Sequence, residues 1–203
     1  MRTNDFVVVG VGASAGGQAS MKDFFTCIPR DIPAAFVVVT HLHRDHESHL
    51  ADILSRQTTL SVEKIKRVTL VEPGKVYVLP ESHFVKIKGT ALYPTPRPAL
   101  QIINKSVDFF FDSLAKDQKE NAIGVILSGM GTDGSEGAQR LFEYGGHVFV
   151  QAPTSTQFSG MPCATVMNDH PEFVLPPTEL GSKLVKFITE RKAKSFESQV
   201  GAH

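Results

Sequence analysis

The sequence predicts an α/β protein: a doubly wound, mainly parallel sheet flanked by helices, with a small antiparallel hairpin. Three observations carry this expectation. Phe6 to Val11 and Ala34 to Thr40 are short, β-branched, almost wholly apolar runs, the pattern of strands covered on both faces. Between them Met21, Phe24, Phe25 and Ile28 recur at helical spacing before Pro29, which gives strand, helix, strand. At 203 residues the chain is also long enough to bury a core in one domain without metal or disulfide staples.

The remaining elements follow in order. After a polar stretch, Leu50, Ile53 and Leu54 share a helical face, and Ser61 to Ile65 reads as a strand. Lys75 to Leu79 and Phe84 to Lys88 are further strands, the second turning at Gly89-Thr90 into Ala91 to Tyr93 as an antiparallel hairpin. Pro94 to Ala99 contains three prolines and reads as an extended surface loop. Val107, Phe110, Phe111 and Leu114 mark an amphipathic helix with Ser106 as candidate cap. Ala122 to Leu127 is another buried strand, followed by the turn SGMGTDGSEG and a helix carrying Ala138, Leu141 and Phe142 that stops at Gly145-Gly146. His147 to Gln151 is a strand. Leu180, Leu184, Phe187 and Ile188 line a C-terminal helix, and the residues after Lys194 read as a solvated tail.

Composition excludes several classes. Lysine plus arginine equals aspartate plus glutamate at 21 each, without the basic excess of a nucleic-acid binder. The two cysteines, Cys27 and Cys163, form no CxxC or Cys/His zinc pattern and fit a reducing cytosol as structural thiols. Arg2, the run Phe6 to Val11 and Ala13-Ser-Ala15 outline a signal-peptide pattern, but the run is short, Asp5 interrupts its lead, and it reads better as a buried strand. No segment approaches the length of a membrane span.

Two motifs claim the stretch FVVVGVGASAGG. Gly10-Val-Gly12-Ala-Ser-Ala15 is the G-x-G-x-x-A form of a dinucleotide-binding turn, and Gly12-Ala-Ser14-Ala-Gly16 is the G-x-S-x-G of a nucleophile elbow. The dinucleotide reading requires an acid at the end of the second strand, about 20 residues on, for the ribose hydroxyls. That strand ends in Thr40-His41 instead. A third turn, Gly129-Met-Gly131-Thr-Asp133-Gly134, repeats the glycine pattern, but Asp133 would repel a pyrophosphate there. The elbow reading requires an imidazole and a carboxylate at neighbouring strand ends, because a serine hydroxyl is a weak nucleophile until an oriented base takes its proton. Ser14, His41 and Asp133 fill these positions, with Gly10 and Gly12 giving room for a tight corner. The chain order differs from the Ser, Asp, His of α/β-hydrolases. The plainer readings are a turn or cap serine at Ser14 and a helix-capping Asp133. A metal site on His41, His43, His46 and His49 lacks the acidic or cysteine partner of a familiar signature. No cofactor is called for.

GASAGG, the strand ending in His41, IGVILSGMGTDG with VDFFFDSLAKDQ ahead of it, and FSGMP resemble, in order and spacing, the catalytic domain of the chemotaxis protein-glutamate methylesterases, the CheB family. The resemblance covers residues 6 to 190. It implies a Ser-His-Asp triad at Ser14, His41 and Asp133, the backbone N–H of Met130 as an oxyanion donor, and hydrolysis of glutamate γ-methyl esters on the cytoplasmic helices of methyl-accepting chemoreceptors. Many members also deamidate receptor glutamines. The expectation is a cytoplasmic enzyme, with residues 1–195 as the catalytic domain, 196–203 as a tail, and no receiver domain of the kind that members commonly carry ahead of the first strand. The chain departs from the family pattern at Thr40 and Leu42, where many relatives have glutamine and methionine around the histidine. Here it resembles the methylesterase portions of hybrid methylesterase-methyltransferase proteins. It departs again at Asn104-Lys105, in place of Arg-Pro, and at Cys163, in place of a basic residue. These departures motivate a rival: a receptor-binding or scaffolding module of the same fold without catalysis.

Overall fold

The computed structural model describes residues 6–41, 48–98, 104–168 and 170–200, the last six of these as backbone only. The main sheet has seven strands in the order β10-β9-β8-β1-β2-β5-β3, and all pairings are parallel. These are β1 (Val7–Ala13), β2 (Ala34–Thr40), β3 (Ser61–Lys64), β5 (Lys75–Val78), β8 (Ala122–Ile126), β9 (His147–Gln151) and β10 (Phe173–Leu175). A smaller antiparallel sheet, ordered β4-β7-β6, joins β4 (Thr69–Leu70), β6 (His83–Lys88) and β7 (Ala91–Pro96). Its hairpin turns through Gly89 at φ 60°, while Thr90 keeps a negative φ. Glycine at the first central position of a two-residue turn is the type II′ requirement.

Because successive strand residues point to opposite faces, β1 feeds two cores. Val9 and Val11 pack with Met21, Phe24 and Phe25 of α1 (Gly17–Thr26), Leu54 of α2 (Leu50–Ser55), and Leu180 and Leu184 of α6 (Pro177–Val200). On the other face Val8 joins Val107, Phe110, Phe111 and Leu114 of α3 (Ser106–Gln118), Leu141 of α4 (Ser135–Glu143) and the small sheet through Val85, Ile87 and Leu92. The glycines of β1 face α3. A Cβ on Gly10 would stand 2.8 Å from the Phe111 ring, and one on Gly12 2.5 Å from Val107 Cγ1. Both lie inside the strand, so they do not relax a tight corner, as their spacing suggests; they let α3 press against the sheet. Gly12→Ala is expected to destabilise the fold by about 1–3 kcal/mol through overpacking. A urea midpoint equal to wild type would contradict this close approach.

Two further expectations are revised. Pro94 to Pro96 are not loop but the end of β7, paired with Val85, Phe84 and His83. β4 reaches only Ala91 and Leu92, so both prolines sit where the opposite side of β7 has no partner strand, as their missing N–H requires. Ser106 is not the cap of α3; the residue at that position, Lys105, makes no side-chain cap bond. The backbone of α6 is helical to Val200. α5 (Gly160–Asn168), β4 and β10 lack a sequence signal, because α5 opens on Gly-Met-Pro and the strands are only two and three residues long.

Candidate active site

From β1 the chain builds outward through β2 to β5 and β3, then returns to the other side of β1 for β8, β9 and β10. In sheets of this kind sites lie beyond the carboxyl ends of the strands, where the winding reverses. Ser14 follows β1, His41 follows β2, and Asp133 lies in the turn between β8 and α4, so this reversal brings together residues up to 119 positions apart in sequence (133 − 14).

The three side chains form one bonded chain. Ser14 Oγ lies 3.3 Å from His41 Nδ1, and His41 Nε2 lies 2.6 Å from Asp133 Oδ2. The carboxylate selects the tautomer with its proton on Nε2, leaving the Nδ1 lone pair facing the serine hydroxyl. The Asp133 side chain is 4% exposed and the His41 ring 24%. Ser14 is held through its backbone: its N–H donates to Ser128 O at 2.9 Å, and its carbonyl accepts from Gly17 N. The cap of α1 is Gly16, at φ 71° with no side-chain bond, so the cap reading of Ser14 falls away. A Cβ on Gly16 would meet the Phe158 ring and Ser128 Oγ, both at 2.7 Å.

Asp133 does cap a helix, but not the one that follows it. Its Oδ2 accepts from Val107 N at 3.0 Å and its Oδ1 from Asp108 N at 2.9 Å, satisfying two free donors at the start of α3. This is why Ser106 is not needed as a cap; its own N–H and hydroxyl are bonded to Asn104 Oδ1. Asp108 answers in kind, its Oδ1 accepting from Gly134 N and Gly137 N, each at 2.8 Å, at the start of α4. Each carboxylate thus caps the helix next to the other. Burial, with the nearby Asp133 charge, pushes the Asp108 carboxyl up to about 6 against the pull of its backbone bonds.

A second assembly braces the turn after β8. Ser128 N donates to Gln151 Oε1 at 2.8 Å, and Ser128 Oγ donates to Ala15 O at 2.8 Å while sharing a bond with Thr156 Oγ1. Gly129 N donates to Phe158 O, and Met161 N to Gly129 O, each at 2.9 Å. A Cβ on Gly129 would fall 2.0 Å from Met161 Sδ and 3.1 Å from Ser14 Cβ, so only glycine fits between α5 and the serine. The FSGMP segment therefore clamps this turn against Ser14. Met130 stands at the surface, 62% exposed, and among the described residues its N–H has no hydrogen-bond partner.

The sequence reading missed Asp108, Ser128, Gln151 and the clamp. The strings VDFFFDSLAKDQ, IGVILSGMGTDG and FSGMP contain Asp108, Ser128 and part of the clamp, but as motifs without a role for these residues. Of the histidines weighed as a metal set, His43 and His46 lie outside the described residues; His49 faces Asp52 at the surface, 3.7 Å away, and His41 faces Asp133. Among the described residues no group of three or more His, Cys, Asp or Glu is arranged to hold a metal, and no helix is long and apolar enough to cross a membrane. Cys27 and Cys163 are unpaired and half-buried.

Known proteins resemble this chain in sequence and in fold. A family model described as CheB methylesterase matches residues 9–184. A protein-glutamate methylesterase/protein-glutamine glutaminase of Pseudomonas syringae pv. syringae is 31% identical over 90% of this chain and 55% of its own length. The protein-glutamate methylesterase FrzG of Myxococcus xanthus is 32% identical, with the same coverage of each chain. The crystal structure of the Thermotoga maritima CheB methylesterase catalytic domain superposes with a TM-score of 0.81 at 29% identity, covering 90% of this chain and 98% of that one. The chain spans about half the length of the curated relatives it matches. With its doubly wound sheet, its family-model match and these relatives, the chain belongs to the CheB methylesterase family.

Proposed function

We propose that this protein is a protein-glutamate methylesterase acting in the cytoplasm on chemoreceptor helices, with Ser14 as nucleophile, His41 as general base and Asp133 as the carboxylate that orients it. The observation that carries the reading is the bonded series Ser14, His41, Asp133 across three strand ends. His41 Nδ1 takes the Ser14 proton as Oγ attacks the γ-carbonyl of the ester, and Asp133 stabilises the imidazolium that results. The oxyanion of the tetrahedral intermediate is received by the Met130 N–H, which the 156–161 clamp holds in place. The imidazolium then protonates the leaving methoxide, giving methanol and an acyl-serine. Water, deprotonated by the same nitrogen, releases the glutamate carboxylate and regenerates Ser14. The 3.3 Å gap from Ser14 to His41 is long for proton transfer and closes when substrate is seated.

The same steps release ammonia from a glutamine side chain, the glutaminase activity for which the Pseudomonas syringae relative is also named. The non-catalytic alternative draws on the changes at Asn104 and Cys163. Asn104 is accommodated by its bonds to Ser106, which leaves the site chain intact. The discriminating experiment is to incubate the protein with a methylated chemoreceptor cytoplasmic fragment and measure methanol, with ammonia from the fragment bearing glutamines at those positions. Methanol equal to the loss of methyl groups is expected. Binding of the fragment without methanol would establish the scaffolding role instead.

A further inference from the structure

Asp108 does more than its caps require. Both backbone donors, Gly134 N and Gly137 N, are taken by Oδ1 alone. An asparagine oxygen could accept both, without the added strength of a charged acceptor. Oδ2 is buried and forms no hydrogen bond, its nearest cation being Lys105 Nζ at 3.6 Å. Lys105 itself is shared, bonding Glu136 at 2.7 Å. The negative charge is therefore held in a buried place, beside a second carboxylate, where burial and that neighbour oppose it more strongly than its two backbone bonds favour it.

We infer that Asp108 is a positioning residue for the Ser14, His41, Asp133 site: its Oδ1 fixes the turn that presents Asp133, and its charge, lying behind Asp133, strengthens His41 as a base. The inference rests on the triad reading. The backbone sets the two carboxylates side by side: Asp108 N donates to the carboxylate that binds His41 Nε2, and the Asp133 charge acts on the Asp108 carboxyl. An anion behind that carboxylate favours the imidazolium that forms during attack. The other charged groups around Asp108 are Lys105 and Asp112 on α3, Asp133 on the turn, and Glu136, Arg140 and Glu143 on α4. Among the described residues, Lys105 is the one cation paired with it.

The sign of the effect on stability follows. The Asp108 carboxyl titrates near 6 in the folded protein, above its ordinary value of 3.8, so the folded state binds this proton more tightly than the unfolded chain. Its burden on the fold is absent below about pH 4, grows as pH rises, and is complete above about 6. Asp108→Asn removes that burden and keeps both caps. At pH 8 the variant is expected to melt above wild type, and the difference should close by pH 4.

The test compares wild type, Asp108→Asn, Asp108→Ala and Ser14→Ala in melting temperature, in the pH profile of kcat/KM for methyl-ester hydrolysis, and in the titration of the His41 ring followed by NMR. The expected result for Asp108→Asn is higher stability at pH 8, with the acid limb of the profile and the NMR-followed His41 titration both moved to lower pH. Asp108→Ala, which also frees the turn, should lose about 100-fold in kcat. An Asp108→Asn protein whose profile and His41 titration superimpose on wild type, with Ser14→Ala inactive, would overturn this inference alone. A fully active Ser14→Ala protein would instead overturn the triad reading on which it rests.

Discussion

Ser14→Ala is expected to lower kcat for glutamate methyl-ester hydrolysis by roughly 10,000- to 1,000,000-fold, because triad members act as a unit and the loss of the nucleophile abolishes the covalent route. KM should change little. The fold should survive, since the structural bonds of Ser14 are made by its backbone, to Ser128 O and Gly17 N, and the hydroxyl's bond goes to His41. Steady-state methanol release and a urea unfolding curve on the same preparation separate the two effects. Near-normal turnover by a folded variant would contradict the nucleophile assignment.

Asp133→Asn should lose about 10,000-fold in kcat, and here stability falls as well. Asp133 accepts three hydrogen bonds, from His41 and Val107 at Oδ2 and from Asp108 N at Oδ1. An asparagine has only one acceptor oxygen. With its amide toward Oδ2's partners, donors face donors and His41 must move its proton to Nδ1, which then points at Ser14 and cannot accept. With the amide turned the other way, the start of α3 loses a cap. Leaving a buried donor unsatisfied costs about 1–3 kcal/mol. A variant with wild-type urea midpoint would contradict the double role of this carboxylate, whatever its activity.

The fold was legible where burial alone determines structure. β1 and β2 are covered on both faces, so their strands read as continuous apolar runs, and the amphipathic α1, α3 and α6 show their buried faces directly. It was not legible where tertiary context overrides local preference. Pro94 and Pro96 enter a strand only because β4 stops short of them. Ser106 loses its capping role because Asp133, distant in sequence, supplies a better acceptor. The site divides in the same way. Ser14, His41 and Asp133 each end a recognisable strand or sit in the turn after one, so their type and location pointed to chemistry. Asp108 is one acidic residue in the first turn of an ordinary amphipathic helix, and its partners Gly134 and Gly137 are 26 and 29 residues away. Gly10 and Gly12 looked like a turn because the sequence does not reveal how closely Phe110, Phe111 and Val107 approach them.

The most direct test of the central claim is to treat the protein with one equivalent of a phosphonofluoridate, map the adduct by mass spectrometry and assay the same sample for methanol release. A hydroxyl activated by the His41–Asp133 pair predicts a single adduct on Ser14, with activity lost in proportion to labelling and no labelling of an Asp133→Asn protein at the same rate. Full methanol release from protein stoichiometrically modified at Ser14 would contradict it.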